Sequence, residues 1–342
     1  MSLIRNPRSR AALLAAAFLL AAAFLLAAAL TCLGSAAYAQ TPGPAAGAAK
    51  KTRLAFVTNN PSDYWTICRK GTEAAARDLG TVQVEFVMPS DGGIATQKQD
   101  VDDLLAKGVR GIAISPVDPA NETSYLNGVA ARTNLITTDS DAAASRRLCY
   151  VGTDNHAAGG MAGRLIRKAL PLGGPVMLFV GKRYAQNARD RIAGIQDALR
   201  GSRITVLGVL TDDADHARAR KNVVDTLARH PHVAALVGIW SYNGPAIYSA
   251  VQEAGKAGKV KIIAFDEDSD TLNGIQAGAI YGTIAQQPYR FGYESVKLLA
   301  ALARGDKRGI PAGRRLIIPT VAITRANLGA YQAQHKKQLA GD

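Results

Sequence analysis

The chain has 342 residues, too many for one ordinary hydrophobic core, which predicts roughly two domains of about 150 residues each. Hydrophobic residues make up 48% and charged residues 20% of the chain, a globular composition that argues against extensive disorder. The net charge is +14, but the lysines and arginines are scattered, which favours general surface charge over a nucleic-acid interface.

The N-terminal segment has the pattern of an export signal. A basic start precedes an apolar run of Ala, Leu and Phe over 11–30, and a small Ala-Tyr-Ala tripeptide ends at Ala39. This order predicts a secretory signal peptide over 1–39, cleaved after Ala39. The apolar run is also long enough to span a bilayer, so a retained anchor is the alternative. Residues 40–51 are rich in Ala, Gly and Pro and are predicted to form a flexible leader.

Beyond the leader, short apolar runs alternate with amphipathic stretches. Strands are predicted at 53–58, 82–87, 111–115, 134–138, 148–152, 175–180, 204–210, 234–240, 260–265 and 280–285. Helices are predicted near 63–79, 94–107, 120–132, 156–169, 186–200, 215–229, 245–256, 269–277 and 289–304. Runs such as "RGIAIS" and "KIIAF" are apolar on both faces, as in parallel strands covered on both sides. The alternation predicts a doubly wound α/β fold, and the number of strands favours two similar domains.

Two cysteines, Cys68 and Cys149, lie beyond the predicted cleavage site. In an exported protein they are candidates for a disulfide, and two buried thiols are the alternative. They are too few for a zinc site, which needs four ligands.

Nearly every predicted strand ends in planar polar groups or an aromatic ring. In open α/β sheets, ligands bind just beyond the carboxyl ends of the strands. Asn and Asp are also common helix caps, so any one of these residues alone is typical of a cap. Caps do not require Trp65, Trp240 or paired arginines, so the set as a whole indicates a ligand site. The residues at the strand ends include Asn59, Asn60, Tyr64, Trp65, Ser115, Asp139, Asp141, Asn187, Arg189, Arg191, Trp240, Asn243, Asp266 and Gln286.

These residue types suit a small, neutral, polyhydroxylated ligand. Asn, Asp, Arg and Gln are planar and forked, so each can hold two neighbouring hydroxyl groups. The C–H faces of a sugar ring are apolar, so aromatic faces pack on them. A phosphate site would require a glycine-rich loop at a helix start, and the sequence has neither G-x-G-x-x-G nor a P-loop pattern.

Catalytic and metal-binding interpretations have less support. The sequence has no G-x-S-x-G, and none of the five histidines has a C-x-x-C or H-E-x-x-H partner. The run "DEDSD" at 266–270 resembles a calcium loop, but Thr271 and Ala277 stand where that loop needs Gly and Glu. We therefore expect no metal, no cofactor and no enzyme activity. Paired carboxylates for glycoside hydrolysis look the same in sequence as hydroxyl-binding carboxylates, which leaves a secreted sugar-acting enzyme as an alternative.

A series of stretches carries a more specific signal. They are "LAFVTNNPSDYWTICRKGTEAAARDLG", "AISPVDP", "LITTDSDA", "YVGTDNHAAGGMAG", "NARDRIAGI", "WSYNGPAI", "IIAFDED" and "GTIAQQPYRFGYESVKLL". In order and spacing, from about residue 52 to 318, the chain resembles the ribose-type (type I) periplasmic sugar-binding proteins of ABC importers. The resemblance implies two Rossmann-like lobes with parallel sheets, joined by a three-crossing hinge. It also implies a periplasmic monomer that binds a pentose or hexose in the inter-lobe cleft and delivers it, by hinge closure, to a membrane permease.

The resemblance further implies the ligand contacts. Ser140 stands where ribose binders of this family carry an arginine, and Ser115 replaces a frequent asparagine. A different pentose or hexose, or a non-sugar polyol, is therefore expected rather than ribose. The matched positions are Asn60, Tyr64, Trp65, Ser115 and Asp139 in the first lobe and Arg189, Asn243, Asp266 and Gln286 in the second. The next candidates, beside matched positions, are Asp141, Asn187 and Trp240.

The implied crossings lie near Thr153–Asp154, Gln286–Pro288 and Pro319. They divide the chain into an N-terminal lobe, 52–153 plus 287–318, and a C-terminal lobe, 154–286 plus 319–342. A lactose-repressor-type regulator shares this core, but it needs an N-terminal helix-turn-helix where this chain has the predicted signal. A sensor domain that feeds a membrane receptor, anchored by the N-terminal apolar run, is a further alternative.

Overall fold

The computed structural model describes residues 51–340, over which strands and helices alternate. The strands are β1 (Thr52–Val57), β2 (Val82–Val87), β3 (Gly111–Ile114), β4 (Asn134–Thr138), β5 (Cys149–Gly152), β6 (Gly174–Val180), β7 (Ile204–Thr211), β8 (Ala235–Gly238), β9 (Lys261–Phe265), β10 (Gly282–Ala285), β11 (Arg315–Ile317) and β12 (Val321–Thr324). The helices are α1 (Asp63–Leu79), α2 (Ile94–Ala106), α3 (Pro119–Arg132), α4 (Asn155–Ala169), α5 (Gln186–Leu199), α6 (His216–Arg229), α7 (Asn243–Glu253), α8 (Ser269–Gln276), α9 (Pro288–Ala303) and α10 (Leu328–Ala340). The predicted signal peptide and leader residues 40–50 lie outside the described residues.

The strands form two six-stranded sheets with matching layouts. The first has the order β11-β5-β4-β3-β1-β2 and the second β12-β10-β9-β8-β6-β7. All pairs in the first sheet are parallel, and in the second only β10 and β12 pair antiparallel. Each sheet defines one lobe.

The chain passes between the lobes three times. It leaves the first sheet after β5, because the next helix, α4, packs against α5 and against β9 and β10 of the second sheet. After β10 it returns, since α9 packs on α1 and on strands of the first sheet. The last crossing joins β11 of the first sheet to β12 of the second. The predicted doubly wound α/β fold, with two lobes and a three-crossing hinge, is confirmed.

Burial explains why the central strands read as continuous apolar runs. In β1, Leu54 and Phe56 belong to the core cluster on one side of the sheet, while Ala55 and Val57 belong to the cluster on the other side. Alternate side chains of a strand point to opposite faces, so a strand covered by helices on both faces needs apolar residues at every position.

Close packing between α4 and α5 positions part of the ligand site. A Cβ atom at Gly159 would lie 2.1 Å from the carbonyl oxygen of Arg191, and one at Gly194 would lie 2.1 Å from that of His156. Only glycine permits this approach of the two helix backbones. The contact fixes α5, and with it Arg191, against the rest of the second lobe.

Both cysteines are free, buried thiols in the core of the first lobe. Cys68 faces inward from α1, and Cys149 begins β5, where its thiol contacts the Tyr150 carbonyl oxygen at 3.3 Å. Of the two possibilities that the sequence leaves open, a disulfide or two buried thiols, the structure has the two buried thiols.

Candidate ligand-binding site

A narrow cavity of about 30 Å³ lies between the two lobes, where the carboxyl ends of the strands of both sheets face each other. Placing the cavity at the strand ends agrees with the general position of ligand sites in open α/β sheets. Its lining residues are Asn59, Asn60, Ser62, Tyr64, Trp65 and Asp139 from the first lobe and Asn187, Arg191, Trp240, Ser241, Tyr242, Asp266 and Gln286 from the second.

Asp139 is the acidic group of the first lobe. It follows β4 with a left-handed backbone (φ 58°), which a non-glycine residue rarely adopts and which is concentrated at functional sites. Its carboxylate accepts hydrogen bonds from Ser115 Oγ at 3.1 Å and from Asn187 Nδ2 at 3.0 Å. Burial raises its pKa, and the charge of Arg191 opposes that rise. The bond from Asn187 joins the two lobes directly across the cavity.

Asp266 occupies the corresponding place in the second lobe, after β9, and it too has a left-handed backbone (φ 69°). Gln286 Nε2 donates to its Oδ1 at 2.8 Å. Burial raises the pKa of Asp266 to about 6; Arg191 opposes this rise and Asp139 adds to it. Two buried carboxyl groups, one from each lobe, therefore share one neighbouring guanidinium.

That guanidinium belongs to Arg191, which is 1% exposed. Its Nε donates to Asn155 Oδ1 and its Nη1 to the Ile239 carbonyl, both at 2.9 Å, and the group lies 4.7 Å from the centre of the Phe265 ring. Its Nη2 has no hydrogen-bond partner among the described residues. Three protein contacts hold the guanidinium rigid while one donor stays free at the cavity.

The prediction that Arg189 contacts the ligand needs correction. Arg189 is exposed on α5, where it donates to the Tyr184 carbonyl at 2.8 Å and to Gln186. An α-helix turns 100° per residue, so residues two apart point in nearly opposite directions. Asn187 and Arg191 are four apart and share the buried face. This i, i+4 spacing was the sequence signal that identifies Arg191.

Aromatic rings line the cavity from both lobes. Trp65 is 1% exposed and packs edge-on against Tyr64, with ring centres 4.9 Å apart. Trp240 and Tyr242 face them from the second lobe, with ring centres 6.4 Å apart. The Tyr242 hydroxyl donates to Asp212, whereas Trp240 Nε1 is buried without a partner among the described residues.

Two predicted residues lie behind the cavity wall instead of lining it. Ser115 is fully buried and donates to Asp139. Asn243 donates to Asp212 at 3.0 Å and accepts from the Trp240 backbone N–H, also at 3.0 Å. Both position residues that reach the cavity, so their expected direct ligand contact does not fit this geometry.

Asp141 lies away from the cavity. Its carboxylate accepts two hydrogen bonds from Arg147, of 2.5 and 2.7 Å, and one from Thr137 at 2.7 Å. This pairing occupies Asp141 as a structural partner within the first lobe, so it too is corrected as a ligand contact. The predicted residues that the structure brings to the cavity are Asn60, Tyr64, Trp65, Asp139, Asn187, Trp240, Asp266 and Gln286.

Five lining residues were not among the predicted contacts: Asn59, Ser62, Arg191, Ser241 and Tyr242. All five adjoin a predicted residue in sequence or lie within two positions of one. Within residues 51–340, no group of His, Cys, Asp and Glu side chains is arranged to hold a metal ion. Over the same range, no helix combines the length and apolarity that a membrane span requires.

Comparisons with known proteins agree with this architecture. The family described as "periplasmic binding protein domain" matches residues 54–307. The D-allose-binding periplasmic protein of Escherichia coli is 28% identical over 259 residues, covering 73% of this chain and 83% of the relative. The ribose import binding protein of Salmonella typhimurium is 28% identical over 268 residues, covering 77% and 88% respectively.

Solved structures give the same picture. An ABC transporter solute-binding protein from Burkholderia graminis, in complex with D-arabinose, has a TM-score of 0.78 and 31% identity, covering 83% of this chain and 98% of that one. A solute-binding protein from Agrobacterium vitis, bound with α-D-tagatopyranose, has a TM-score of 0.76 and 27% identity, covering 81% and 96%. The resemblance drawn from the sequence is confirmed, and the chain belongs to the periplasmic binding protein domain family.

Proposed function

We propose that this protein is the substrate-binding component of an ABC importer and that it binds a small sugar in the cavity between its lobes. The named relatives bind or import ribose and allose, and the neighbouring structures hold D-arabinose or a tagatopyranose. A pentose or hexose is therefore the ligand class that the relatives support.

The observation that carries the proposal is a set of buried polar atoms, without hydrogen-bond partners, that belong to residues lining the cavity. Within the described residues, Arg191 Nη2 and Trp240 Nε1 are unpaired donors, and Asn187 Oδ1 and Gln286 Oε1 are unpaired acceptors. A buried unpaired polar group costs about 1–3 kcal/mol, so such a set is expected only where a ligand supplies the partners. Sugar hydroxyls donate and accept at once and match this mixture.

The rings complete the recognition chemistry. Tyr64 and Trp65 on one side and Trp240 on the other present faces and edges to the same space. The C–H groups of a sugar ring pack favourably on such surfaces, which an inorganic ion cannot exploit. Planar polar side chains and aromatic rings that line one space are the combination expected around a sugar ring.

Binding is coupled to movement of the lobes. Lys182 Nζ of the second lobe donates to the Gly92 carbonyl of the first at 2.6 Å, and Asn187 bonds Asp139, so the lobes touch at the lip and inside the cleft. The cavity they leave is narrow and is bridged by these contacts, so we expect the lobes to part when a sugar enters. A ligand that contacts both lobes then favours the closed form, which a permease recognises.

The family also supports a location and a partner for the protein. It would be exported to the periplasm and, as a monomer, would meet an inner-membrane permease there. A binding protein releases its sugar unchanged, so we expect no product from any bound sugar.

Melting-temperature shifts across pentoses, hexoses and polyols test the function, using residues 40–342. A sugar at about 100 times its dissociation constant should stabilise the folded protein by about 2.7 kcal/mol. A strong shift with one or a few sugars, recovered unchanged by chromatography, supports a binding protein. Absence of any shift across the panel, or conversion of the bound sugar, would contradict the proposal.

A further inference from the structure

A second space adjoins the ligand cavity. This side chamber, of about 340 Å³, shares Tyr64, Ser241 and Asp266 with the cavity, so these three residues form a common wall. Like the cavity, the chamber lies between the lobes, with Ile67 of α1 on one side and Leu272 of α8 on the other. A ligand in the cavity is therefore one side-chain layer away from the chamber.

The chamber contains a buried acid without a counter-ion. Glu267 lines it and is 5% exposed, and its Oε2 has no hydrogen-bond partner among the described residues. Among the side chains that the structure describes, no ion pair joins Glu267 to a lysine or arginine. Burial raises its pKa well above the ordinary value, and the charge of Asp266 raises it further. A hydrogen bond from the backbone N–H of Glu267 itself opposes this rise, but it supplies no positive charge and leaves Oε2 unpaired, which is costly for a buried carboxyl group.

The charges around the cavity and the chamber indicate that a partner of Glu267 would be positively charged. Asp139, Asp266 and Glu267 are at least 95% buried, and the one cationic side chain among the lining residues of the cavity is Arg191. Two of the donor groups of Arg191 are hydrogen-bonded to Asn155 and to the Ile239 carbonyl. The chamber adds Lys70, whose side chain is exposed at its edge. The interior is thus acid-rich although the chain as a whole carries +14.

We propose that the ligand is an amino-substituted sugar or polyol whose ammonium group reaches past the common wall into the chamber and binds between Asp266 of the wall and Glu267 of the chamber. The inference rests on the proposed function, because the ring occupies the same cavity as a neutral sugar would. An ammonium group offers three hydrogen-bond donors, which suits two adjacent carboxylates. Ile67 and Leu272 supply apolar surface for the carbon that carries the amine.

Matched ligand pairs test this by isothermal titration calorimetry at pH 7. The pairs are glucosamine with glucose, galactosamine with galactose, and 1-amino-1-deoxysorbitol with sorbitol. We expect at least one amine to bind about tenfold tighter than its neutral partner, the equivalent of one charge-assisted hydrogen bond. N-acetylglucosamine keeps the nitrogen without the charge and should lose the advantage.

Three variants test whether Glu267 carries the effect. Glu267→Gln should bring the affinities of each amine and its neutral partner together, while Glu253→Gln, which removes an exposed carboxylate paired with Arg220, should keep the preference. Lys70→Gln removes a like charge at the chamber edge and should widen the preference about twofold. The Lys70→Gln variant decides the matter if Glu267→Gln does not fold.

The outcomes separate the two proposals. Neutral sugars that bind as tightly as their amines, or a preference that survives Glu267→Gln, would overturn the amine inference and leave the sugar-binding function standing. If Glu267→Gln does not fold, the Lys70→Gln variant decides. A preference for amines that is unchanged in Lys70→Gln would then overturn the amine inference. Failure of every neutral sugar and every amine to bind would overturn both.

Discussion

Trp240 offers a substitution that separates ligand binding from folding. Trp240 lines the cavity, and its buried Nε1 donor has no partner among the described residues, so the folded protein gains no hydrogen bond from it. Trp240→Phe keeps an aromatic face but removes this donor. A ligand hydroxyl left unpaired there should cost about 1.5 kcal/mol, or roughly tenfold in affinity, while the free energy of unfolding should stay within about 1 kcal/mol of wild type.

Tyr242→Phe is the matched control on the same wall. The Tyr242 hydroxyl donates to the buried carboxylate of Asp212, so its removal should cost about 1.5–3 kcal/mol of stability. Urea unfolding measures stability, and calorimetry with a sugar from the melting panel measures affinity. Wild-type affinity in Trp240→Phe, or a stability loss as large as that of Tyr242→Phe, would refute the assignment of Nε1 to the ligand.

Trp65→Ala should lower the free energy of unfolding by about 3–5 kcal/mol in urea titrations, because the ring is 1% exposed and packed against Phe56; a loss of affinity alone would contradict this. Arg189→Ala should leave sugar affinity within about twofold, whereas Arg191→Met should lower it at least tenfold in calorimetry; the reverse pattern would restore Arg189 to the site. Burial raises the pKa of Asp266 from 3.8 to about 6, so its contribution to stability is fully present below about pH 4 and is lost as pH rises through 6, by about 3 kcal/mol. Asp266→Asn should flatten unfolding free energy between pH 4.5 and 7, and an unchanged slope would contradict the raised pKa.

The sequence predicted the sheets well because the central strands are buried on both faces. Runs such as Leu54–Val57 leave a strong apolar signal, and alternation with helices then predicts the fold class. The short strands β11 and β12 were missed, since they span three and four residues and include the partly exposed Ile317 and Val321. Such edge strands carry no periodic pattern.

The site was predicted to the level of strand ends but not to individual orientations. The presence of Asp139 and Asp266 at the cavity is predicted directly by their positions after β4 and β9. Ser115 and Asn243 sit at equally favourable positions in sequence, yet their side chains turn to support Asp139 and Trp240. Only the three-dimensional arrangement distinguishes a residue that touches the ligand from one that holds its neighbour.

Trp65 shows the same limit for packing. A tryptophan after a strand predicts a stacking surface, but the structure gives Trp65 two roles, since it lines the cavity and also belongs to the core cluster of the first lobe. Its contacts with Phe56 and Tyr64 depend on how α1 crosses the sheet, which the sequence does not encode locally.

Intrinsic fluorescence tests the central claim, that a sugar binds between the lobes, most directly. The chain has two tryptophans, and Trp65 and Trp240 line the cavity from opposite lobes, so no other tryptophan contributes background. Titration of the sugar that raises the melting temperature should change the emission with a 1:1 saturation curve, at the dissociation constant found by calorimetry. Saturable binding in the calorimeter without any change in tryptophan emission would place the ligand elsewhere and contradict the account.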